Sequence, residues 1–159
     1  MTIKAGDRIP DATLSVMTSD GPSPLSTSEY FAGKRIVLFS VPGAFTPTCS
    51  AKHLPGFVDH AQDILSKGAD EIACMSVNDV FVMNAWGKSA NADSITMLAD
   101  GNGDFAKALG LEMDATGFGM GHRSQRFALI ADDGVVTKLF VEAPGEFRVS
   151  AAEHVLNEL

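Results

Sequence analysis

Three short apolar runs, "KRIVLFSV" (34–41), "EIACMSV" (71–77) and "SITMLAD" (94–100), are separated by stretches long enough to hold helices. That spacing leaves the chain few ways to fold. Strands joined across a helix-length connection pair in parallel, and parallel strands are buried on both faces, so they read as continuous apolar runs rather than alternating ones. The connections carry helix signals of their own. Thr48 or a neighbour caps a helix from about Cys49 to Lys67, which Pro55 and Gly56 bend or interrupt and Gly68 ends. "DVFVMNAWGKSA" reads as a second helix begun by Asn78 or Asp79, and "GDFAKALG" as a short third one stopped by Gly110.

Two further strand-like runs, "RFALIA" and "VVTKLFVE", flank Asp132, Asp133 and Gly134, and the Asp-Gly pair signals a tight hairpin. The tail "SAAEHVLNEL" is an amphipathic helix with Ser150 and Glu153 in capping-box spacing. Ahead of the first apolar run, a short strand is expected near Ala12 to Met17. "SDGPSPLSTS" (19–28) then reads as a loop, and the glycines of "ATGFGMGHR" suggest a flexible loop ahead of Arg123. The core order is β-α-β-α-β-α-β-β-α: parallel crossovers, then an antiparallel hairpin and a last helix. The class is α/β, with a mixed central sheet, helices on both faces and an N-terminal β extension. A thioredoxin-like core has this order, as do other α/β sandwiches.

With 159 residues, 45% of them hydrophobic and 20% charged, the chain suits a single domain over 1–159. A domain of that size buries roughly 70% of its unfolded surface and needs no disulfide staples. No apolar run approaches the roughly 20 residues of a membrane span. A formal charge of −8 argues against a surface that tracks phosphates, so no nucleic-acid partner is expected. The first residues, "MTIKAGDRIP", resemble neither a secretory signal nor a transit peptide, and a cytoplasmic location is expected. Two cysteines in such a chain point to a reducing compartment, where a retained thiol is catalytic, redox-active or metal-binding.

Cys49 falls where a strand ends and a helix begins. Helix N-termini offer unpaired N–H groups and partial positive charge, which favour a thiolate. A nearby cation completes such a site, and "GHRSQRF" supplies Arg123 and Arg126. Arg126 is the more telling, because a charge at the entrance of the buried run "FALIA" needs a partner or a task. Thr46, three residues before Cys49, can turn its hydroxyl toward the sulfur, while Pro42 and Pro47 stiffen the loop and remove two backbone donors.

The spacing Pro42-x-x-x-Thr46-x-x-Cys49 resembles the peroxiredoxin signature, and "PGAFTPTCS" in full is similar to the type-5 (type II, or D-type) subfamily. "KHLPGF", "SVNDVFVMNAW", "LADGNGDFAKALGL" and "RSQRFALIADDGVV" resemble that subfamily in the same order, over nearly the whole chain. The resemblance implies a thioredoxin-like fold and reduction of hydrogen peroxide or organic hydroperoxides. It implies Cys49 as peroxidatic cysteine, Thr46 as the hydroxyl that bonds peroxide and thiolate, and Pro42 as the shield. By the same resemblance Arg126 holds thiolate and peroxide, Arg123 supports it, and the amides of Thr48 and Cys49 hold the peroxide. A homodimer paired through loops around the site is also implied.

Many type-5 members carry a resolving cysteine near the C-terminus, and "APGEFRVSAAEHVLNEL" contains none. Cys74, inside an apolar strand, reads as a small core residue. One-cysteine chemistry is expected, with glutathione, glutaredoxin or thioredoxin reducing the sulfenic acid. No cofactor is called for. His53, four residues after Cys49, could join it and Cys74 around a metal, but without a clustered cysteine pattern no metal site is expected. A cysteine hydrolase using His53, His60 or His122 is a weaker enzymatic reading, since nothing singles out a base-orienting partner. A redox sensor or chaperone-like interaction protein using the same Cys49 is the reading from another class. Trp86, Phe81 and Met83 read as packing.

Overall fold

The computed structural model describes residues 2–159. At its centre lies β3 (Arg35–Ser40), five of whose six residues are buried, as a strand covered on both faces must be. β4 (Glu71–Ser76) pairs with it in parallel, and β5 (Thr96–Ala99) pairs in parallel with β4. On the other side, β8 (Phe127–Asp132) runs antiparallel to β3, and β9 (Val135–Val141) returns antiparallel to β8. The hairpin between them turns through Asp133 and Gly134, both at positive φ (49° and 77°), the backbone that an Asp-Gly pair adopts in a tight turn. β1 (Thr13–Thr18) and β2 (Gly21–Ser26) extend the sheet antiparallel beyond β5, giving the order β2-β1-β5-β4-β3-β8-β9.

The side chains of β3 divide strictly by parity. Val37 and Phe39 face one core with α2 (Leu54–Ser66), α3 (Val80–Ser89) and α5 (Ala152–Asn157), through Phe57, Ile64, Met83, Trp86 and Val155. Ile36 and Leu38 face the other core, with Tyr30 of α1 (Thr27–Tyr30) and Phe105 and Leu109 of α4 (Asp104–Leu109). The fold is thus a thioredoxin-like mixed sheet with helices on both faces and a β extension at the N-terminus.

Three local expectations are revised. The stretch 19–28 is not a loop: β2 occupies most of it at the sheet's edge, with Pro22 opposite Met17 and Pro24 opposite Ser15. Only an edge strand tolerates prolines two residues apart, since their missing N–H groups can point away from the ladder. The glycine-rich stretch ahead of Arg123 is organised as a small hairpin, β6 (Glu112–Asp114) against β7 (His122–Ser124), around a 3-10 turn at Thr116–Phe118. Ser150 does not cap α5. That place falls to Ala151, and the Ser150 hydroxyl donates to Glu142 Oε2 (2.6 Å) instead.

Candidate active site

The loop after β3 is pinned before it reaches the helix. Val41 N–H donates to Met75 O of β4, and Ala44 N–H donates to Asn78 Oδ1 (2.9 Å), which also accepts the Ser76 hydroxyl (2.7 Å). Gly43 leaves room for the loop to pack closely: a Cβ there would lie 3.1 Å from Thr46 Cγ2 and 3.2 Å from Met120 Cε, so either side chain would have to shift to admit it. Phe45 adopts positive φ (63°), a strained backbone for a bulky residue.

Helical bonding begins at Thr46, whose carbonyl accepts Ser50 N–H (2.9 Å). Pro47 therefore occupies the first helical position, where its missing N–H costs nothing. Thr48 and Cys49 follow in the first turn, where amides have no intrahelical acceptor. Residues Cys49–His53 form a widened π turn before α2, closed by Leu54 N–H on Cys49 O. The wide turn meets the helix at Pro55, which lacks the N–H to continue regular bonding and crowds the carbonyl four residues back. The interruption expected at Pro55 and Gly56 thus lies one turn upstream of them.

The geometry brings Cys49 and Arg126 together. Cys49 is fully buried, and Arg126 Nη2 donates to its sulfur at 3.1 Å. A fixed guanidinium against sulfur stabilises the thiolate, the nucleophilic form. Thr46 Oγ1 gives its proton to Gly43 O (2.6 Å), so the hydroxyl keeps only acceptor lone pairs for another ligand. Pro42, partly buried, starts the loop. Arg123 stands one layer back: its Nε and Nη1 donate to the carbonyls of Met120 (2.9 Å) and Val77 (2.9 Å), tying β7 to the loop that holds Asn78.

His53 is the residue whose place the sequence did not announce. One turn after Cys49 on the same helix face, fully buried, its Nδ1 bonds Arg126 Nη1 at 2.8 Å and its Nε2 bonds Ser150 O at 3.0 Å. A guanidinium only donates, so Nδ1 is the acceptor, Nε2 carries the ring proton, and the imidazole is neutral. Burial, reinforced by the charge of Arg126, holds His53 down to about 3. With both nitrogens engaged, His53 has none left for a metal or for taking the proton of Cys49. The i,i+4 spacing from Cys49 was the available signal. Asn78 was missed as a loop anchor because it reads equally well as a helix start. Trp86, expected as packing, is buried and also donates its indole N–H to Ser50 Oγ (3.0 Å), steadying the turn that carries Cys49.

Cys74 lies on the same face of the sheet, in β4 opposite Phe39, also fully buried. Both thiols are free. Burial pushes the Cys74 thiol well up, with a smaller contribution from Cys49 that Arg126 opposes, so it stays protonated.

A buried thiol aimed by an arginine at a helix start, on a thioredoxin-like sheet, defines a thiol-redox protein. The chain matches the redoxin family over residues 4–156. It is 50% identical over 159 residues to peroxiredoxin-2B of Arabidopsis thaliana, covering 99% of this chain and 98% of that protein. Among solved structures it resembles reduced Prx3 of Vibrio vulnificus in complex with hydrogen peroxide, with a TM-score of 0.97, 57% identity and 99% of each chain covered. It also resembles the Plasmodium falciparum antioxidant protein, a 1-Cys peroxiredoxin, with a TM-score of 0.90, 32% identity and 96% of each chain covered. The chain belongs to the redoxin family as a type-5 peroxiredoxin, and is a thiol-dependent peroxidase. Among the described residues no helix is long and apolar enough to cross a membrane.

Proposed function

We propose that residues 1–159 work as one domain that reduces hydrogen peroxide and organic hydroperoxides at Cys49 and is recycled by an external thiol. The observation that carries this is the bond from Arg126 Nη2 to Cys49 Sγ. The Cys49 thiolate attacks the nearer peroxide oxygen. The S–O bond forms as the O–O bond breaks, and the departing oxygen leaves as alkoxide or hydroxide and takes a proton from solvent. Negative charge grows on that oxygen, where the Arg126 guanidinium and the amides of Thr48 and Cys49 stabilise it. Thr46 Oγ accepts the peroxide O–H and so orients it. Pro42 walls the site, and Arg123 supports it through the loops it ties.

The product is a Cys49 sulfenic acid. One external thiol attacks its sulfur, forming a mixed disulfide and releasing water, and a second thiol displaces Cys49 as thiolate and leaves as the disulfide. Glutathione, glutaredoxin and thioredoxin are the candidate donors. Cys74 takes no part, because burial inside the sheet keeps its thiol protonated and so a poor nucleophile toward the sulfenate. Exposed Phe45, Phe81 and Phe118 lie on the active-site loop, α3 and the β6–β7 turn, and they support pairing as a homodimer around the site. We assign the protein to the cytoplasm. Mass spectrometry after one equivalent of peroxide, with glutathione present, tests the reading: a glutathione adduct on Cys49 supports it, and an internal Cys49–Cys74 disulfide sinks it.

A further inference from the structure

Glu142, the first residue after β9, is buried, and its backbone N–H donates to the carbonyl of Arg126 (3.0 Å). Its carboxylate is used in a lopsided way. Oε2 accepts the amides of Arg148 (2.7 Å) and Ser150 (2.8 Å) and the Ser150 hydroxyl, while Oε1 is buried with no hydrogen-bond partner among the described residues. All three donors come from one strap, residues 143–150, that leads into α5. A buried carboxylate that leaves one oxygen empty to concentrate three donors on the other calls for an explanation beyond its own solvation.

The strap supplies one. Its Ser150 carbonyl accepts His53 Nε2–H, and its Phe147 ring lies 4.9 Å from the imidazole centroid and 5.8 Å from the Arg126 guanidinium carbon. His53 Nδ1 then accepts from Arg126 Nη1, and Arg126 Nη2 donates to Cys49 Sγ. Each link has a single polarity. Were the Ser150 carbonyl to move away, nothing would keep the ring proton on Nε2, and the other tautomer would set an N–H against the guanidinium. Two facing donors repel, so Arg126 would turn from the sulfur.

We infer that Glu142 is a positioning residue for the peroxidase reaction: by pinning the 143–150 strap it fixes the Ser150 carbonyl, the tautomer of His53 and thereby the aim of Arg126 at Cys49. The inference rests on Cys49 being the reacting sulfur.

The test is a double-mutant cycle on the pre-reduced full chain, reading the second-order rate of Cys49 oxidation by hydrogen peroxide in a rapid mixer. Glu142→Ala is expected to slow it roughly tenfold, and to add almost nothing once His53→Leu has removed the intermediate link. Glu142→Gln, which keeps an acceptor and drops the charge, falls between the parent and Glu142→Ala. Ring 15N shifts of His53 add a readout that a merely structural role would not move: one fixed tautomer in the parent, a mixture in either Glu142 variant. A lowered melting temperature with unchanged rate and unchanged ring shifts overturns the inference, as does a Glu142→Ala loss that multiplies in full with that of His53→Leu. Should Glu142→Ala fail to fold, the rate and ring shifts of Glu142→Gln decide in the same way. Failure of the Cys49 reading shows separately, as a parent protein that consumes no peroxide or one in which the Cys74 peptide gains the oxygen.

Discussion

Cys49 and Cys74 share almost every coarse property. Both are free, both are fully buried, and both belong to the same hydrophobic cluster on one face of the sheet. They differ in what surrounds the sulfur. Cys74 sits mid-strand between hydrogen-bonded neighbours on both sides, fully buried, and burial pushes its thiol well up despite the opposing charge of Arg126. Cys49 sits where a strand has ended and a helix has barely begun, so amides are free, and a guanidinium donor reaches it at 3.1 Å. Burial alone makes a thiol inert; burial beside fixed donors makes it reactive.

The comparison breaks first at Cys49 itself. Cys49→Ser should abolish peroxide turnover with any thiol donor, because a hydroxyl at this place is not ionised at neutral pH. Steady-state consumption of hydrogen peroxide measures this, and any residual turnover comparable to the parent would move the chemistry to Cys74.

Arg126→Ala should come next, slowing Cys49 oxidation by about 10²–10³-fold, the usual loss of one fixed donor to a developing oxyanion. Arg126→Lys should recover only part of this, since an ammonium cannot hold His53 Nδ1 and Cys49 Sγ at once in the guanidinium's fork. Iodoacetamide alkylation sharpens the contrast between the thiols: in the parent Cys49 reacts and Cys74 does not, and in Arg126→Ala the gap narrows.

Thr46→Val should cost roughly 10–100-fold in the oxidation rate, the worth of one hydrogen bond to a charged or charging partner. Thr46→Ser should recover most of it. An undiminished rate in Thr46→Val would mean that the hydroxyl serves the Gly43 carbonyl and nothing else.

Acid exposes the same asymmetry as stability. His53, beneath Cys49, is neutral in the fold and held to about 3, whereas an unperturbed imidazole takes its proton near 6.5. Between those values the unfolded chain holds more protons, so stability falls as pH drops from about 6.5 toward 3, by up to about 1.4 kcal/mol per pH unit. Glu142 adds to the loss at the lower end: burial pushes it up, but the hydrogen bonds it accepts from the Ser150 hydroxyl and from backbone amides of the 143–150 strap outweigh that and hold it below the usual carboxylate range. Its stabilisation disappears as pH falls through that range. Melting temperatures of the parent and of His53→Gln between pH 7 and 5 check this. The glutamine can accept from Arg126 and donate to Ser150 without titrating, so its curve should be flatter.

Much of this was legible in the residues. The apolar runs gave the core strands, Asp133 and Gly134 gave the hairpin, and Pro42, Thr46 and Cys49 marked the loop, because each depends on spacing within one element. The misread segments depend on partners far along the chain. Pro22 and Pro24 look like loop formers until β1 gives them an edge to occupy, and Ser150 looks like a cap until Glu142, eight residues earlier, takes its hydroxyl. His53 escaped for the same reason. Its role is set by Arg126 and Ser150, which lie 73 and 97 residues away.

The smallest effect belongs to Cys74→Ser. A serine hydroxyl nearly matches the thiol in size, so packing against Phe39 and the helices survives, but a fully buried hydroxyl needs a hydrogen bond that the thiol does without. An unmet donor of that kind costs about 1–3 kcal/mol, and a lowered melting temperature should record it. Peroxidase activity should hold, since no donor to the peroxide and no step of the external thiol cycle runs through β4. Activity that fell with Cys74→Ser but returned with Cys74→Ala would trace the loss to a buried hydroxyl disturbing the sheet beneath Cys49. Loss in both variants, with the fold intact, would make Cys74 the second thiol of the cycle and end the contrast between the two.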